Sequence, residues 1–288
     1  MTDSSNLLSK VASYDAKAEQ FHCDFSNHLM LGHLGNELLN VADRHSMERG
    51  YGMPALIKMN RTWVLSRLAI EMNEMPVAYD RFTISTWIED AKRFYTSRNF
   101  KVSGKKGMTL GYGRSIWAMI DVETRKPVDI SSVKDGLIGE YVDKDTLCPI
   151  KPASRVIING PMHLARQIKP CYGDIDINGH VNSIKYLEHI IDLFPIELFS
   201  EYSLKRIDMA YVAESHYGDI LNIYVDDSEY NVYGSTLNTV DCRTEENLSA
   251  NKNADNISRI YNIRITKCSE NEKNEVEVVR CSVKFVKV

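Results

Sequence analysis

The stretches "RLAIEMNEMPVAYDRFTI" (residues 67–84) and "RIDMAYVAESHYGDILNI" (residues 206–223) align without a gap. Arg67 meets Arg206, Asp80 meets Asp219 and Ile84 meets Ile223. Each copy joins two runs of β-forming residues through a polar turn, the pattern of consecutive strands. A helical pattern stands upstream of each. In "LGNELLNVADRHSMERG" (34–50), Leu34, Leu38, Val41, Ala42 and His45 recur at steps of three and four and define one apolar face. In "HVNSIKYLEHIIDLF" (180–194) the stripe is Ile184, Leu187, Ile191 and Phe194. "GHL" at Gly32 and "GHV" at Gly179 open the two helices and set the expected register between the copies.

Working outward, a first strand is expected in "KAEQFHCDF" (17–25) and in "MHLARQIKP" (162–170). Further strands follow each helix: "TWVLSRLAIEM", "RFTISTWIED", "FYTSRNFKV" and "TLGYGRSIWAMIDV" in the first half. The second half offers "LKRIDMAYVA", "DILNIYVDD", "NVYGSTLNTV", "SRIYNIRITKC" and "EVEVVRCSVKFVKV". The order repeats, so the chain reads as an internal duplication, with a unit too long for a solenoid. A helix with an apolar stripe beside an antiparallel sheet must bury that stripe in the sheet's concave face. The expected fold is therefore α+β, an antiparallel sheet wrapped around a long helix, twice. The first unit is expected over 1–145, a connector carrying Pro149 and Pro152 over 146–160, and the second unit over 161–288. A polar loop, "DCRTEENLSANKNADN" (241–256), reads as a long hairpin insertion.

Length and composition agree. The chain has 288 residues, 43% hydrophobic and 26% charged, enough for two globular units. Thirty-five Lys and Arg stand against 39 Asp and Glu, a formal net charge of −4, which argues against nucleic-acid binding as the main task. No apolar run is long enough to span a membrane. The first residues lack the basic region and apolar core of a signal peptide, so the expected compartment is the cytoplasm. The six cysteines are scattered without a C-x-x-C, and no metal or other cofactor is expected.

The densest polar cluster is "CYGDIDINGHVNSIKY" (171–186), where Asp174, Asp176, Asn178, His180 and Asn182 alternate with apolar residues or Gly. Three readings compete. The segment imitates the start of a calcium loop, but the twelfth position is Lys185, whose ammonium cannot ligate calcium. Asp and Asn are also ordinary helix caps and turn residues, with Asn178 the expected cap. Finally, a carboxylate and an imidazole at a helix N-terminus suit acid–base chemistry on a carbonyl, with backbone amides of Gly179 and His180 as candidate oxyanion donors.

"GDIDINGHVNSIKYLEHIID" resembles the D-x-N-x-H-V-N-N-x-x-Y signature of the acyl-acyl carrier protein (acyl-ACP) thioesterases of plants and bacteria. "NRTWVLSRLAIEMNEMPVAYDRFTISTWIED", "SIWAMIDVETRKPVDI" and "YVAES" at Tyr211 resemble further segments of that family, in the same order. The resemblance implies a tandem double hot-dog fold and a hydrolase that frees fatty acid from acyl carrier protein. It carries the family's functional positions onto Asp176, Asn178, His180 and Glu214. The family's Cys after that Glu is Ser215 here, a poor nucleophile without a dedicated base, which favours direct attack by water. The second Asn of the signature is Ser183.

On the same resemblance, the first half helps form an acyl tunnel, with Leu38, Ala42, Trp63 and Leu65 as candidates, and His33 marks a degenerate copy of the site. The partner implied is acyl carrier protein, an acidic protein, so a basic docking face is expected among Lys92, Arg93, Arg98, Lys101, Lys105 and Lys106, or at Arg166 and Lys169. A homodimer is also expected. Rival readings are an acyl-CoA thioesterase, a hot-dog dehydratase, and a non-catalytic acyl-carrier or lipid-binding module.

Overall fold

The computed structural model describes residues 7–226, 258–269 and 274–288. The chain divides into two compact units, Met1–Ser154 and Arg155–Val288. In the first, β1 (Ala12–Lys17) precedes helix α1 (Leu31–Glu48) and a short helix α2 (Met53–Ile57). Strands β2 (Arg61–Met72), β3 (Arg81–Ala91), β4 (Tyr95–Ser103) and β5 (Thr109–Asp121) follow, then helix α3 (Leu137–Glu140). The second unit has β6 (Met162–Ile168), helices α4 (Ser183–Ile191) and α5 (Ile196–Glu201), then β7 (Tyr202–Tyr211), β8 (Ile220–Asp226), β9 (Ser258–Cys268) and β10 (Val276–Lys287).

The strand orders are the strongest sign of duplication. The first unit runs β1-β3-β4-β5-β2 and the second β6-β8-β9-β10-β7. In both, the first strand pairs the third, the third the fourth, the fourth the fifth and the fifth the second, all antiparallel.

Helix α1 buries its expected stripe: Leu34, Leu38, Val41, Ala42 and His45 are all buried. On α4 Ile184 and Leu187 are buried as expected, but Ile190 is buried in place of Ile191, which like Phe194 beyond the helix end is half-buried. The sheet yields to the helix: a Cβ on Gly113 of β5 would lie 3.3 Å from the Leu38 side chain and 3.2 Å from Phe100, so a larger residue there would press on both side chains. Alternation along β10 buries Cys281, Val283 and Phe285 and leaves Ser282 and Lys284 half-buried.

Three local expectations are corrected. The first strand lies earlier than "KAEQFHCDF", at Ala12–Lys17, because its ladder with β3 ends where Ala18 donates to the Asp80 carbonyl. Gln20–His22 turns into a single 3-10 turn and leaves Phe21 exposed. Helix α4 starts at Ser183, not His180, since the backbones of His180 and Val181 bridge to His216 and Ile175. The connector is partly embedded: Cys148 and Ile150 pack on Trp87, and the Cys148 carbonyl accepts from Arg114 Nη2 at 2.7 Å. The expected strand at 231–240 and the loop at 241–256 lie outside the described residues. No helix among the described residues is long and apolar enough to cross a membrane.

Candidate active site

The site is built on a five-residue turn, Asp176–His180. Gly179 adopts φ +79°, the left-handed conformation that costs glycine nothing. The Asp176 carboxylate closes the turn: Oδ1 accepts the backbone N–H of Asn178 at 2.8 Å and of His180 at 3.2 Å. Asp176 N donates to the His180 carbonyl at 2.8 Å, and Gly179 N to the Asp176 carbonyl at 3.0 Å. Both amides proposed as oxyanion donors, those of Gly179 and His180, are thus already donated to Asp176. A sequence shows which amides precede a helix but not that a neighbouring carboxylate and carbonyl have taken them.

The cap of α4 is Asn182 rather than Asn178; its Oδ1 accepts Ile184 N at 2.8 Å. Asn178 stays exposed in the turn, its Nδ2 3.5 Å from Asp176 Oδ2. Asp174 points inward, with Oδ2 accepting Cys171 N at 2.7 Å and Oδ1 meeting His189 Nε2 of α4 at 3.1 Å. Two of the residues that imitate a calcium loop therefore serve the turn and the helix. Among the described residues no group of three or more His, Cys, Asp and Glu is placed to hold a metal ion.

Glu214 lies in the extended segment that follows β7, not on a strand. It faces the turn: its Oε2 is 3.5 Å from His180 Nε2, with the two side chains 33% and 22% exposed. The same segment bridges to the turn through His180 and His216, and Val181 N donates to the Ser215 carbonyl at 2.8 Å. Ser215 is fully buried and its hydroxyl bonds that of Tyr186 on α4. Burial pushes the Tyr186 phenol up to about 12, so it stays protonated. Ser215 thus faces the core while its neighbours face the site.

His216 is the residue that sequence reasoning missed. Its ring meets that of His180 edge-on, centroids 4.8 Å apart and planes at 79°. Its backbone N–H donates to Asp219 Oδ2 at 2.9 Å. The signal was present, since in extended chain residues two apart share a side, as Glu214 and His216 do. Beside the turn is an open concavity of about 850 Å³ lined by Tyr172, Gly173, Ile175, Asp176, Ile177 and Tyr217. Asp176 forms part of its wall.

Two models of one family match consecutive stretches: the acyl-ACP thioesterase N-terminal domain over residues 11–140 and its C-terminal domain over 162–277. The chain belongs to the acyl-ACP thioesterase family. A solved acyl-ACP thioesterase from Bacteroides thetaiotaomicron VPI-5482 is 40% identical, covers 96% of this chain and 98% of that one, and superposes with a TM-score of 0.78. The 12:0-ACP thioesterase from Umbellularia californica shares the fold at 16% identity, with a TM-score of 0.73 over 98% of this chain and all of that one. A palmitoyl-acyl carrier protein thioesterase of Gossypium hirsutum is 24% identical over 213 residues, 71% of this chain and 50% of that protein. The chain thus spans about half the length of the curated relatives it matches. The fold is the double hot-dog of the family.

Within that family fold, Asp176, Asn178, His180 and Glu214 come together at one turn, and the tunnel candidates lie in the other unit. Leu38, Ala42 and Leu65 are buried there, and half-buried Trp63 donates its indole N–H to the Tyr51 carbonyl at 3.3 Å. The expected basic face is largely neutralised. Lys92 pairs with Asp90 at 2.8 Å, Arg93 with Asp129 at 3.1 Å and Lys105 with Asp80 at 2.7 Å. Arg98 is no surface group: it is 4% exposed and donates to Thr86 and Ser46. His33 is not the counterpart of His180. It lies within α1 and stacks on His22, ring centroids 4.0 Å apart.

Proposed function

We propose that this chain is a thioester hydrolase that frees fatty acid from acyl carrier protein. The observation that carries the reading is the Glu214–His180 pair, with Glu214 facing the Asp176–His180 turn at 3.5 Å, in a chain of this family. That gap admits small adjustments around a substrate, and such contacts tighten in the loaded state. Glu214 takes a proton from water as its oxygen adds to the thioester carbonyl carbon. The C–S bond then breaks, and the proton taken by Glu214 passes through His180 to the departing sulfur, which restores both side chains. A thiolate is a good leaving group, so modest acid assistance is enough. Asp176 acts through the backbone, fixing Asn178 and His180. With the backbone amides of Asn178, Gly179 and His180 all committed to Asp176, the exposed side-chain amide of Asn178 is the turn's donor to the carbonyl oxygen. Leu38, Ala42, Trp63 and Leu65 are proposed to contact the acyl chain.

The test is release of free acid and thiol from parallel series of acyl carrier protein and acyl-CoA thioesters. Glu214→Gln and His180→Ala are each expected to lower kcat by roughly 10²–10⁴. Faster turnover of the CoA series would replace the carrier protein by CoA. Tight binding without release by the wild type would replace the hydrolase by a binding module. Pairing of two copies, as the sequence suggests, is read by sedimentation equilibrium.

A further inference from the structure

The N-terminal unit contains a second copy of the catalytic turn, in a register the sequence does not show. Gln20–His22 and Tyr172–Asp174 are both 3-10 turns. Each leads into a bridge, Cys23 with Leu29 and Ile175 with Val181. Between the bridged residues, Asp24, Ser26 and His28 stand where Asp176, Asn178 and His180 stand. The hydrogen bonds repeat one by one. Asp24 Oδ1 accepts Ser26 N at 2.9 Å and His28 N at 3.2 Å. Asp24 N donates to the His28 carbonyl at 2.8 Å and Asn27 N to the Asp24 carbonyl at 3.0 Å. Asn27 even takes the left-handed φ of Gly179, +68° against +79°.

The adjoining segment repeats too. His28 bridges to Val77 as His180 does to His216, and Leu29 N donates to the Pro76 carbonyl as Val181 N does to that of Ser215. Tyr79 is left-handed at +70°, matching Gly218 at +96°. This places Met75 in the position of Glu214, and both are half-buried. The Ser26 hydroxyl donates to Asp24 Oδ1 at 2.7 Å and lies 2.9 Å from His28 Nδ1. With Nδ1 so occupied, Nε2 is the ring nitrogen left to face position 75. A separate observation points to a ligand: Phe21, Phe25 and Tyr79 are 89%, 56% and 61% exposed around this turn, and large apolar groups left exposed together mark binding surfaces.

We infer that this turn is a second acyl-thioester site that lacks its base and has Ser26 in the place of Asn178, and that Met75 is what keeps it silent. The inference rests on the hydrolase reading above. A carboxylate at position 75 meets His28 as Glu214 meets His180. It takes a proton from water as the water oxygen bonds the carbonyl carbon, the C–S bond breaks, and the proton goes to sulfur; one water is consumed, one acid and one thiol are released.

The experiment starts from Glu214→Gln, whose native site is disabled, and adds Met75→Glu. Thiol release from acyl-pantetheine and acyl carrier protein thioesters is expected to rise at least about tenfold over Glu214→Gln alone, a fraction of what a well-placed base supplies. Adding His28→Ala to that double variant is expected to abolish the gain. Met75→Gln in the same background is expected to give none. A folded double variant that stays at the Glu214→Gln rate overturns the inference, as does a gain that survives His28→Ala. Should Met75→Glu lower the yield of folded protein, Met75→Asp reads the same question. The wild type and Glu214→Gln, measured first, judge the hydrolase reading separately: a wild type without release, or a Glu214→Gln chain as fast as the wild type, faults that reading and not this one.

Discussion

The turns at Asp24–His28 and Asp176–His180 share a backbone and differ in what faces them, Met75 in one half and Glu214 in the other. The comparison separates scaffold from chemistry. The carboxylate that closes each turn and the two amides it accepts are common to both, so they are architecture. The proposed acid–base pair needs a carboxylate from a second segment, which the C-terminal half has as Glu214 and the N-terminal half replaces by Met75. Some buried polar groups also differ in place between the halves. Beneath the start of α4 lie Asp174, Ser215 and Tyr186, all packed behind the turn. Beneath the end of α1 lie His45, Ser46, Arg49 and Arg98, far along the helix from its turn. One unit has its polar machinery at the mouth, the other a polar anchor at the base.

The sharpest way to break this comparison is to delete the same carboxylate twice. Asp176→Ala and Asp24→Ala each leave two backbone N–H groups without their acceptor. Each is expected to cost about 1–3 kcal/mol of stability, read by denaturant unfolding. Activity should part company. Asp176→Ala lets His180 and Asn178 drift, and an ångström of misplacement costs roughly 10² in rate; Asp24→Ala touches no group proposed to act. Equal losses of kcat in the two variants would make the N-terminal turn a working part of the native reaction.

His216 sharpens the comparison at its next level, since Val77 stands at the matching bridge in the other half. An edge-on ring contact is worth about 0.5–1.5 kcal/mol, which corresponds to roughly two- to tenfold in rate if the contact orients His180. His216→Ala is expected to lower kcat by that factor with KM little changed, and His216→Phe, which keeps the ring edge, to recover most of it. A His216→Phe variant as slow as His216→Ala would mean that the imidazole itself handles a proton.

Much of this was legible in the sequence, for reasons that differ by residue. The period-3.6 stripe of α1 and the period-2 runs of β3, β9 and β10 are local patterns, and the structure places those elements within a residue or two at most ends. Asp176, Asn178 and His180 stand out as part of the densest polar run, but caps and turns explain such a run too, and their proposed roles rest on the resemblance to the family. The duplicated turn was misread because "GH" at Gly32 matches the letters of Gly179-His180, whereas the true copy keeps only Asp and His and replaces Gly179 by Asn27. Asn tolerates the left-handed conformation and so hides the match. The Asp174–His189 contact joins a turn to the last turn of α4, and no short-range period announces it. The fate of the His180 amide depends on the rotamer of one carboxylate and that of Gly179 on the closure of the turn, neither of which composition encodes.

Ser215 is the smallest step in activity. Its counterpart is Pro76, whose backbone does the same work without any hydroxyl. Ser215→Ala leaves the buried Tyr186 hydroxyl without that partner, a cost of about 1–3 kcal/mol in stability. The folded variant is expected to keep kcat within about a factor of two, because the side chain points away from Glu214 and His180. A loss of kcat like that of Glu214→Gln would put the Ser215 hydroxyl on the reaction path and undo the assignment of water as nucleophile.

The polar anchor of the other half is tested by pH alone, with no expected change in the catalytic site. Burial, followed by the charges of Arg98 and Arg49, lowers His45 from its usual value near 6.5 to about 3. Its Nε2 lies 3.1 Å from the Lys10 carbonyl and its Nδ1 3.3 Å from the Tyr51 hydroxyl, so the ring is held neutral among donors and acceptors. The unfolded chain binds a proton there below about pH 6.5 and the folded chain does not. The His45 contribution is therefore fully present above that pH and is lost as pH falls toward 3, with a slope of at most about 1.4 kcal/mol per pH unit. His45→Gln should flatten that part of the stability–pH curve, measured by urea unfolding between pH 4 and pH 8. An unchanged slope would show that other groups carry the acid sensitivity and that the base of α1 is not the anchor its burial suggests.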